Sequence, residues 1–362
     1  MVTIQDLEDL YYGTGAGYIQ KADAPILSST TGVYNAIYGA KVWSQLNQES
    51  NAFGILPKKV WDKSGWRVVT TRAAATDAGL AEGATLPDSI KPTFAEVSAS
   101  PKSVGQVFQV SEVAQFVGNV DDGLGDTLKL AREEMGKHHI EMVNVNLLAD
   151  VGTAVAGNAF ESIDRVASSN AEVTTRSLTA NRADIYGLDR DAGASWTDAY
   201  VDSAASNRGL TLNMLDTAYQ NVWTNGGRPK VVLTKPDTLM KIQQLLQAQQ
   251  RFVDRMNVVP SVNGIQGFKG VDAGFLVATY NGVPLIHSKD VVADSSAKGR
   301  IYILDTDTLY VKVAKPTQYF ETGMDTGNPF VTNSLTTKGL YRTMGELICT
   351  RFKSQAKIGQ IT

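Results

Sequence analysis

Three histidines and one cysteine are all that 362 residues offer to imidazole or thiol chemistry. His138, His139 and Glu141, with Glu134 one turn earlier, have the spacing of metal ligands on one helix. Their order is not that of a zincin motif, and His138 falls within an apolar stripe, so the pattern predicts a packed, hydrogen-bonded His138 rather than a ligand. Asp189, Asp191, Asp198 and Asp202 offer carboxylates suited to calcium. They lack the alternating spacing and central glycine of a known calcium loop, which predicts solvated turn acids. Gly13, Gly15 and Gly17 imitate part of a phosphate loop, but no strand precedes them and no Gly-Lys-Ser/Thr follows. A serine or cysteine hydrolase would need His138, His139 or His287 beside its nucleophile, and the sequence holds no Gly-x-Ser-x-Gly elbow. Cys349 sits in a strand-like run, where a small buried side chain is expected. The sequence therefore assigns no catalytic, cofactor-binding or metal-binding residue.

Composition sets only broad bounds. At 43% hydrophobic and 20% charged residues, the chain is ordinary globular material with enough length for two or three domains. A formal charge of -3, with dispersed basic residues, argues against a face built to grip nucleic acid. A single cysteine makes no internal disulfide. The opening MVTIQDLEDLYYGTG lacks a basic leader and cleavage site. No run approaches the roughly 18 apolar residues of a membrane helix. The expectation is a soluble intracellular product with no membrane partner.

Those side chains hang on a longer scaffold. From Asp121 to Asp150, the positions Leu124, Leu128, Ala131, Met135, Met142 and Val145 step by three and four, with His138 in the one gap. This predicts a single helix of about 35 to 45 Å, entered through Gly118, Asn119 and the acids Asp121 and Asp122. Before it, residues 66–72 and 93–110 read as two strands enclosing an insert, Ala73 to Pro92, in which Leu80, Leu86 and Ile90 are the only large apolar residues. So long a ribbon is marginal alone in water. Residues 1–57 carry Tyr11, Tyr12, Tyr18, Tyr34, Tyr38 and Trp43 without a sustained period, which predicts an extended arm with one short helix near Val33 to Leu46. Both segments call for burial against another copy.

The second half alternates more clearly. Residues 158–209 read as a loop-rich excursion. Thr211 caps a helix bearing Leu212, Leu215, Tyr219 and Val222 that closes at Asn225 to Gly227; a strand at 230–234 follows, then a second helix capped by Thr234 with Pro236 and Asp237 in its first turn. FLVATY and VPLIHS flank Asn281 and Gly282, a pair suited to a type I′ hairpin. RIYILD and LYVKVA form a strand pair about DTDT, and residues 340–354 read as one long strand.

In this order of parts the chain resembles the major capsid proteins of tailed double-stranded DNA phages and related archaeal viruses, a fold shared with encapsulins. The most specific pieces are residues 79–112, which look like the family's extended loop and returning strand, the long helix after them, and the segment 215–246 followed by YNGVPLIHS and IYILD, which looks like its axial domain. The resemblance implies an α+β chain: an N-terminal arm (1–57), an extended β-hairpin loop (58–110), a peripheral domain with a spine helix and loop-rich insertion (111–210), an axial α/β domain (211–305) and C-terminal strands returning to both domains (306–362). It implies a non-enzymatic protein without cofactors that self-assembles through pentamers and hexamers into an icosahedral shell enclosing viral double-stranded DNA, contacting that DNA weakly and without sequence preference. It further implies a virion location with assembly in the host cytoplasm, a portal and other head proteins as partners, and, since the arm begins almost at Met1, a separate scaffolding protein. Covalent loop joining, known in some members, is not carried over, because Lys91 has no assignable Asn or catalytic acid. The alternatives are an encapsulin-type cargo shell and a metal-dependent hydrolase using His138, Glu141 or the Asp189 cluster.

Overall fold

A computed structural model describes residues 26–27, 50–71, 82–83, 91–118, 126–152, 158–179, 183–190, 195–249, 279–294, 297–323 and 334–362. In chain order these hold β1 (Ile26–Leu27), α1 (Asn51–Ile55), β2 (Lys58–Val60), β3 (Gly65–Thr71), β4 (Thr93–Ser98), β5 (Lys102–Ser111), α2 (Glu112–Gly118) and α3 (Thr127–Leu147). There follow α4 (Ile163–Val166), α5 (Asn170–Thr175), β6 (Tyr200–Asp202), α6 (Leu212–Thr224), β7 (Val231–Thr234) and α7 (Pro236–Gln249). The chain closes with β8 (Thr279–Tyr280), β9 (Val283–His287), β10 (Ile301–Leu304), β11 (Leu309–Gly323), β12 (Thr336–Cys349) and β13 (Ala356–Ile358). The N-terminal arm apart from β1 and residues 50–57, most of the 73–92 insert, and the helix entry at 119–125 lie outside the described residues.

The chain divides into two units, and β5, α3, β11 and β12 each pass from one to the other. In the smaller unit, β1 pairs parallel with β5 (Ile26↔Gln109, Leu27↔Val110). Arg132 on α3 grips Glu321 on β11 through two bonds, Nε to Oε2 at 2.8 Å and Nη2 to Oε1 at 2.6 Å. A planar fork on a carboxylate is the strong form of ion pair.

The larger unit contains a six-stranded sheet in the order β6-β13-β10-β7-β9-β8. All four residues of β7 and of β10 are buried, which suits central strands covered on both faces. Leu215, Ala218, Tyr219 and Val222 of α6 and Ile242 of α7 pack there with Val232, Ile301, Ile303 and Ile358. Helix α6 ends where the sequence predicts, Gly226 taking a positive φ of 72° that ends the helix without a Cβ clash. Asn281 (φ 49°) and Gly282 (φ 76°) turn β8 antiparallel into β9, as the type I′ reading requires. β12, β11 and β2 belong to a second sheet, of order β1-β5-β12-β11-β2.

Six expectations are corrected. The run 93–110 is two strands, interrupted at Ala99 to Pro101, where proline has no N–H for a ladder. RIYILD and LYVKVA are both strands but do not pair with each other, since β10 and β11 lie in different sheets and the Asp305 to Thr308 segment carries the chain between them. Thr234 does not cap α7: it ends β7 and its hydroxyl donates to the Arg300 carbonyl at 2.9 Å. The long final strand runs from Thr336 to Cys349, and a 3₁₀ turn at Phe352–Ser354 then leads to β13. Residues 158–209 are no excursion: Phe160, Ile163, Val166, Ala167, Ile185 and Ala199 belong to the main core, and β6 pairs parallel with β13.

The sixth correction concerns the long helix, whose buried face is rotated from the predicted stripe. Its inward positions run Leu128, His139, Val143 and Leu147, while Val145 is 45% exposed. His139, and not His138, is the packed histidine; its Nε2 lies 2.8 Å from the Thr343 hydroxyl. Burial, with a smaller contribution from His138, lowers its pKa. Asn144, further along the same helix, is buried too, donating to Asp290 at 2.7 Å and accepting from the Phe53 N–H at 3.1 Å. Polar residues satisfied by distant partners took core positions that hydrophobicity alone gave to Met142 and Val145.

Candidate assembly interface

The two-stranded ribbon of β3 and β4 is largely exposed. Antiparallel pairing places Arg67 opposite Glu96 and Val69 opposite Phe94. Period-two alternation turns Trp66 and Val68 to one face and Arg67 and Val69 to the other. On that second face Val69 is 56% and Phe94 58% exposed, an apolar cross-strand pair left in water. Arg67 and Glu96 meet at 3.0 Å but are about three-quarters exposed, so they add little stability.

The root of the ribbon is tied down. The Ala99 N–H donates to the Ser64 carbonyl at 2.8 Å, and Ala99 packs with Tyr310 and Ile348. Trp66 stacks edge-on against Tyr186, ring centroids 5.3 Å apart. Tyr186 holds a positive φ of 52°. Its hydroxyl donates to the Leu347 carbonyl at 2.6 Å and accepts from the Cys349 N–H at 3.1 Å, and these two bonds hold a conformation that a bulky residue rarely adopts. A fixed base under an uncovered apolar outer face is the geometry of a part that completes its burial on something else.

The sequence-derived candidates lie apart. His138 Nδ1 stands 3.8 Å from Glu141 Oε2, but Glu141 also pairs with Lys289, and His139 faces the interior. Glu134 is half-buried on the same helix, and the His287 carbonyl accepts from Asn51 at 2.7 Å. Asp198 accepts the Asn170 N–H at 3.1 Å, Asp202 pairs with Arg208, and Asp189 is exposed. Asp191, Gly13, Gly15 and Gly17 are outside the described residues. Lys91 is exposed just before β4, at the end of the ribbon away from its root. Cys349 is buried, and that burial pushes its thiol up to about 12. Among the described residues no three His, Cys, Asp or Glu side chains gather as a metal site, and no helix is long and apolar enough to cross a membrane.

What the sequence did not signal is a buried charge network in the larger unit. Arg300 bonds Asp164 at 2.7 Å, Asp294 at 2.5 Å and Asp150 at 2.8 Å. Lys357 bonds Asp164 at 3.1 Å and Glu172 at 2.6 Å, and the Tyr302 hydroxyl donates to Asp164 at 2.9 Å. Burial opposes ionisation of Asp164, but Arg300 and Lys357 overcome it and hold the carboxyl well below its usual range. The members are spread from Asp150 to Lys357, so no local pattern announces them. A second buried cluster sets Lys102 3.0 Å from Glu346 and 3.3 Å from Glu161.

Comparison with known proteins bears on the shell reading. Residues 58–338 match the family described as SU10 major capsid protein. No curated protein sequence matches the chain. Among solved structures, the chain is similar to the capsid protein of cyanophage A-1(L), at 16% identity, with 89% of this chain and 96% of that one covered and a TM-score of 0.63. A chain from Mycobacterium phage Bobi aligns at 11% identity, covering 90% and 94%, with a TM-score of 0.53. The encapsulin of the holo-SrpI complex from Synechococcus elongatus aligns at 12% identity, covering 91% and 92%, with a TM-score of 0.51. These likenesses show the α+β capsid fold, while the match over 58–338 exceeds half the chain and shows the family. An open apolar ribbon on a fixed base now has its context: the chain belongs to the SU10 major capsid protein family and is a self-assembling, non-enzymatic subunit of an icosahedral shell.

Proposed function

We propose that the shell encloses viral double-stranded DNA and is closed by the ribbon of each copy lying across its neighbour. The observation that carries this reading is the Val69 and Phe94 pair, more than half exposed on a ribbon whose root is held. The aromatic residues of the 1–57 segment support the same role for an arm. In this reading 58–110 is the extended loop, 111–210 the peripheral domain, 211–305 the axial domain and 306–362 the returning strands, with copies arranged as pentamers and hexamers. Contact with DNA is weak and general, consistent with a net charge of -3. A separate scaffolding protein, a portal and other head proteins complete the particle, which forms in the host cytoplasm.

Deleting Ala73 to Pro92 tests the reading. A folded subunit that no longer forms particles by electron microscopy supports it; an unfolded subunit, or normal particles, overturns it. The likeness to an encapsulin favours a second reading, a cargo shell. Nucleic acid inside particles purified from their natural source supports the first, and protein cargo the second.

A further inference from the structure

His139 sits on the inward face of α3 with none of its surface in water. Its Nε2 lies 2.8 Å from the Thr343 hydroxyl on β12, and that hydroxyl lies 2.8 Å from the hydroxyl of Thr317, an exposed residue of β11. The three groups form a hydrogen-bonded file from interior to surface and tie the helix to both strands. The other ring nitrogen, Nδ1, is buried and has no hydrogen-bond partner among the described residues. A neutral imidazole tolerates this, because one nitrogen carries a proton and the other only a lone pair. With Nε2–H donating to Thr343, Nδ1 is an idle acceptor, which is easier to bury than an idle N–H.

Protonation removes that escape. Both nitrogens then carry hydrogens, so whichever meets Thr343, the other is a charged N–H buried without an acceptor. No carboxylate among the described residues offsets the charge. β12 presents Thr343 and Tyr341, whose ring lies 6.3 Å from the imidazole, and β11 presents Thr317 and Tyr319, which stacks on Tyr341 at 4.8 Å. On α3 itself, His138 repels a second positive charge, and Glu141 is held by Lys289. We propose that His139 is a proton-operated latch: neutral, it closes α3 onto β11 and β12, and protonated, it releases that face of the helix. The signal is acidification alone, and the hydroxyls of Thr317 and Thr343 give the proton its way in. Burial lowers the folded-state pKa, so the opened state binds more protons and the latch weakens as pH falls through the ordinary histidine value of about 6.5 and below. Glu346, on the same strand as Thr343, acts with the opposite sign over this range, so it does not mimic the effect.

Amide hydrogen exchange of assembled particles, read by mass spectrometry at pH 7.5 and pH 5 and corrected for the intrinsic pH dependence of exchange, tests the latch. In the wild type, protection of residues 136–143 falls about tenfold or more at pH 5, while the central strands β7 and β10 keep theirs. His139→Gln can still bond the Thr343 hydroxyl but takes no proton, so it holds its protection at both pH values; His138→Gln retains the wild-type response. A second measurement needs no variant. Deuterium exchange at the imidazole Cε1 carbon of the wild type, resolved to single residues, gives His139 a titration midpoint below about 6.5 that coincides with the loss of amide protection. Unchanged protection in the wild type, loss spread evenly through β7 and β10, an equal loss in His139→Gln, a response abolished by His138→Gln, or a His139 midpoint at or above the ordinary histidine value overturns the proposal.

Discussion

The Arg300 guanidinium stands 2.7 Å from the Asp164 carboxylate, with both side chains closed off from solvent. Their surroundings join Asp164 and Glu172, within the 158–209 segment read as a loop-rich excursion, to β10 and β13, so that segment is fastened to the six-stranded sheet by charge as well as by packing. Removing one partner strands the other in a low-dielectric interior, which costs far more than the pair contributes net.

Asp164→Asn is therefore expected to destabilise the subunit by about 3 to 5 kcal/mol, read as a lower urea midpoint at neutral pH. Because Arg300 and Lys357 depress the Asp164 carboxyl, its share of stability is present above the usual carboxylate range. It is lost as pH falls through that range and below, and the variant lacks that part of the acid transition.

Glu346 has the opposite sign. Burial raises its carboxyl, and Lys102 only partly offsets this, leaving it at about 7 against an ordinary 4.5. The folded state then holds more protons than the unfolded one between those values, so this contribution falls as pH rises from about 4.5 to about 7. Glu346→Gln removes a slope amounting to about 3 kcal/mol over that window. Denaturant melts of both proteins at pH 5 and pH 8 check it; an equal change in the two proteins would contradict the assignment.

Val69→Ser with Phe94→Ser separates folding from assembly. Both side chains point from the outer ribbon face, so subunit stability shifts by no more than about 0.5 kcal/mol per site. Particle formation, followed by light scattering, falls sharply if that face is covered by a neighbour.

Gly345→Ala tests a close approach between strands. A Cβ at that position would lie 2.4 Å from the Lys312 carbonyl oxygen, a backbone atom that cannot swing aside. Destabilisation of about 1 to 3 kcal/mol is expected, measured as a drop in melting temperature with the remaining fold intact by circular dichroism.

Much of the architecture was legible because it rests on local physics. Asn281 and Gly282 accept positive φ, Gly226 ends α6, and alternation exposes one face of β3, each through the nearest neighbours in sequence. Long-range partners set what was misread. His139 holds a core position that Thr343 makes acceptable, and the break at Ala99 to Pro101 sends β5 to a different sheet from β4.

By itself the amino-acid sequence determined the order of parts, the ribbon, the α6-β7-α7 segment and the hairpin after it, since turn chemistry and apolar period act within a few residues. Tertiary structure alone decided which face of the long helix is inward, that residues from 158–209 enter the core, and that Asp164, Arg300 and Lys357 meet in the interior. A buried charge is tolerable only beside its counterion, and the counterions of Asp164 lie more than a hundred residues along the chain.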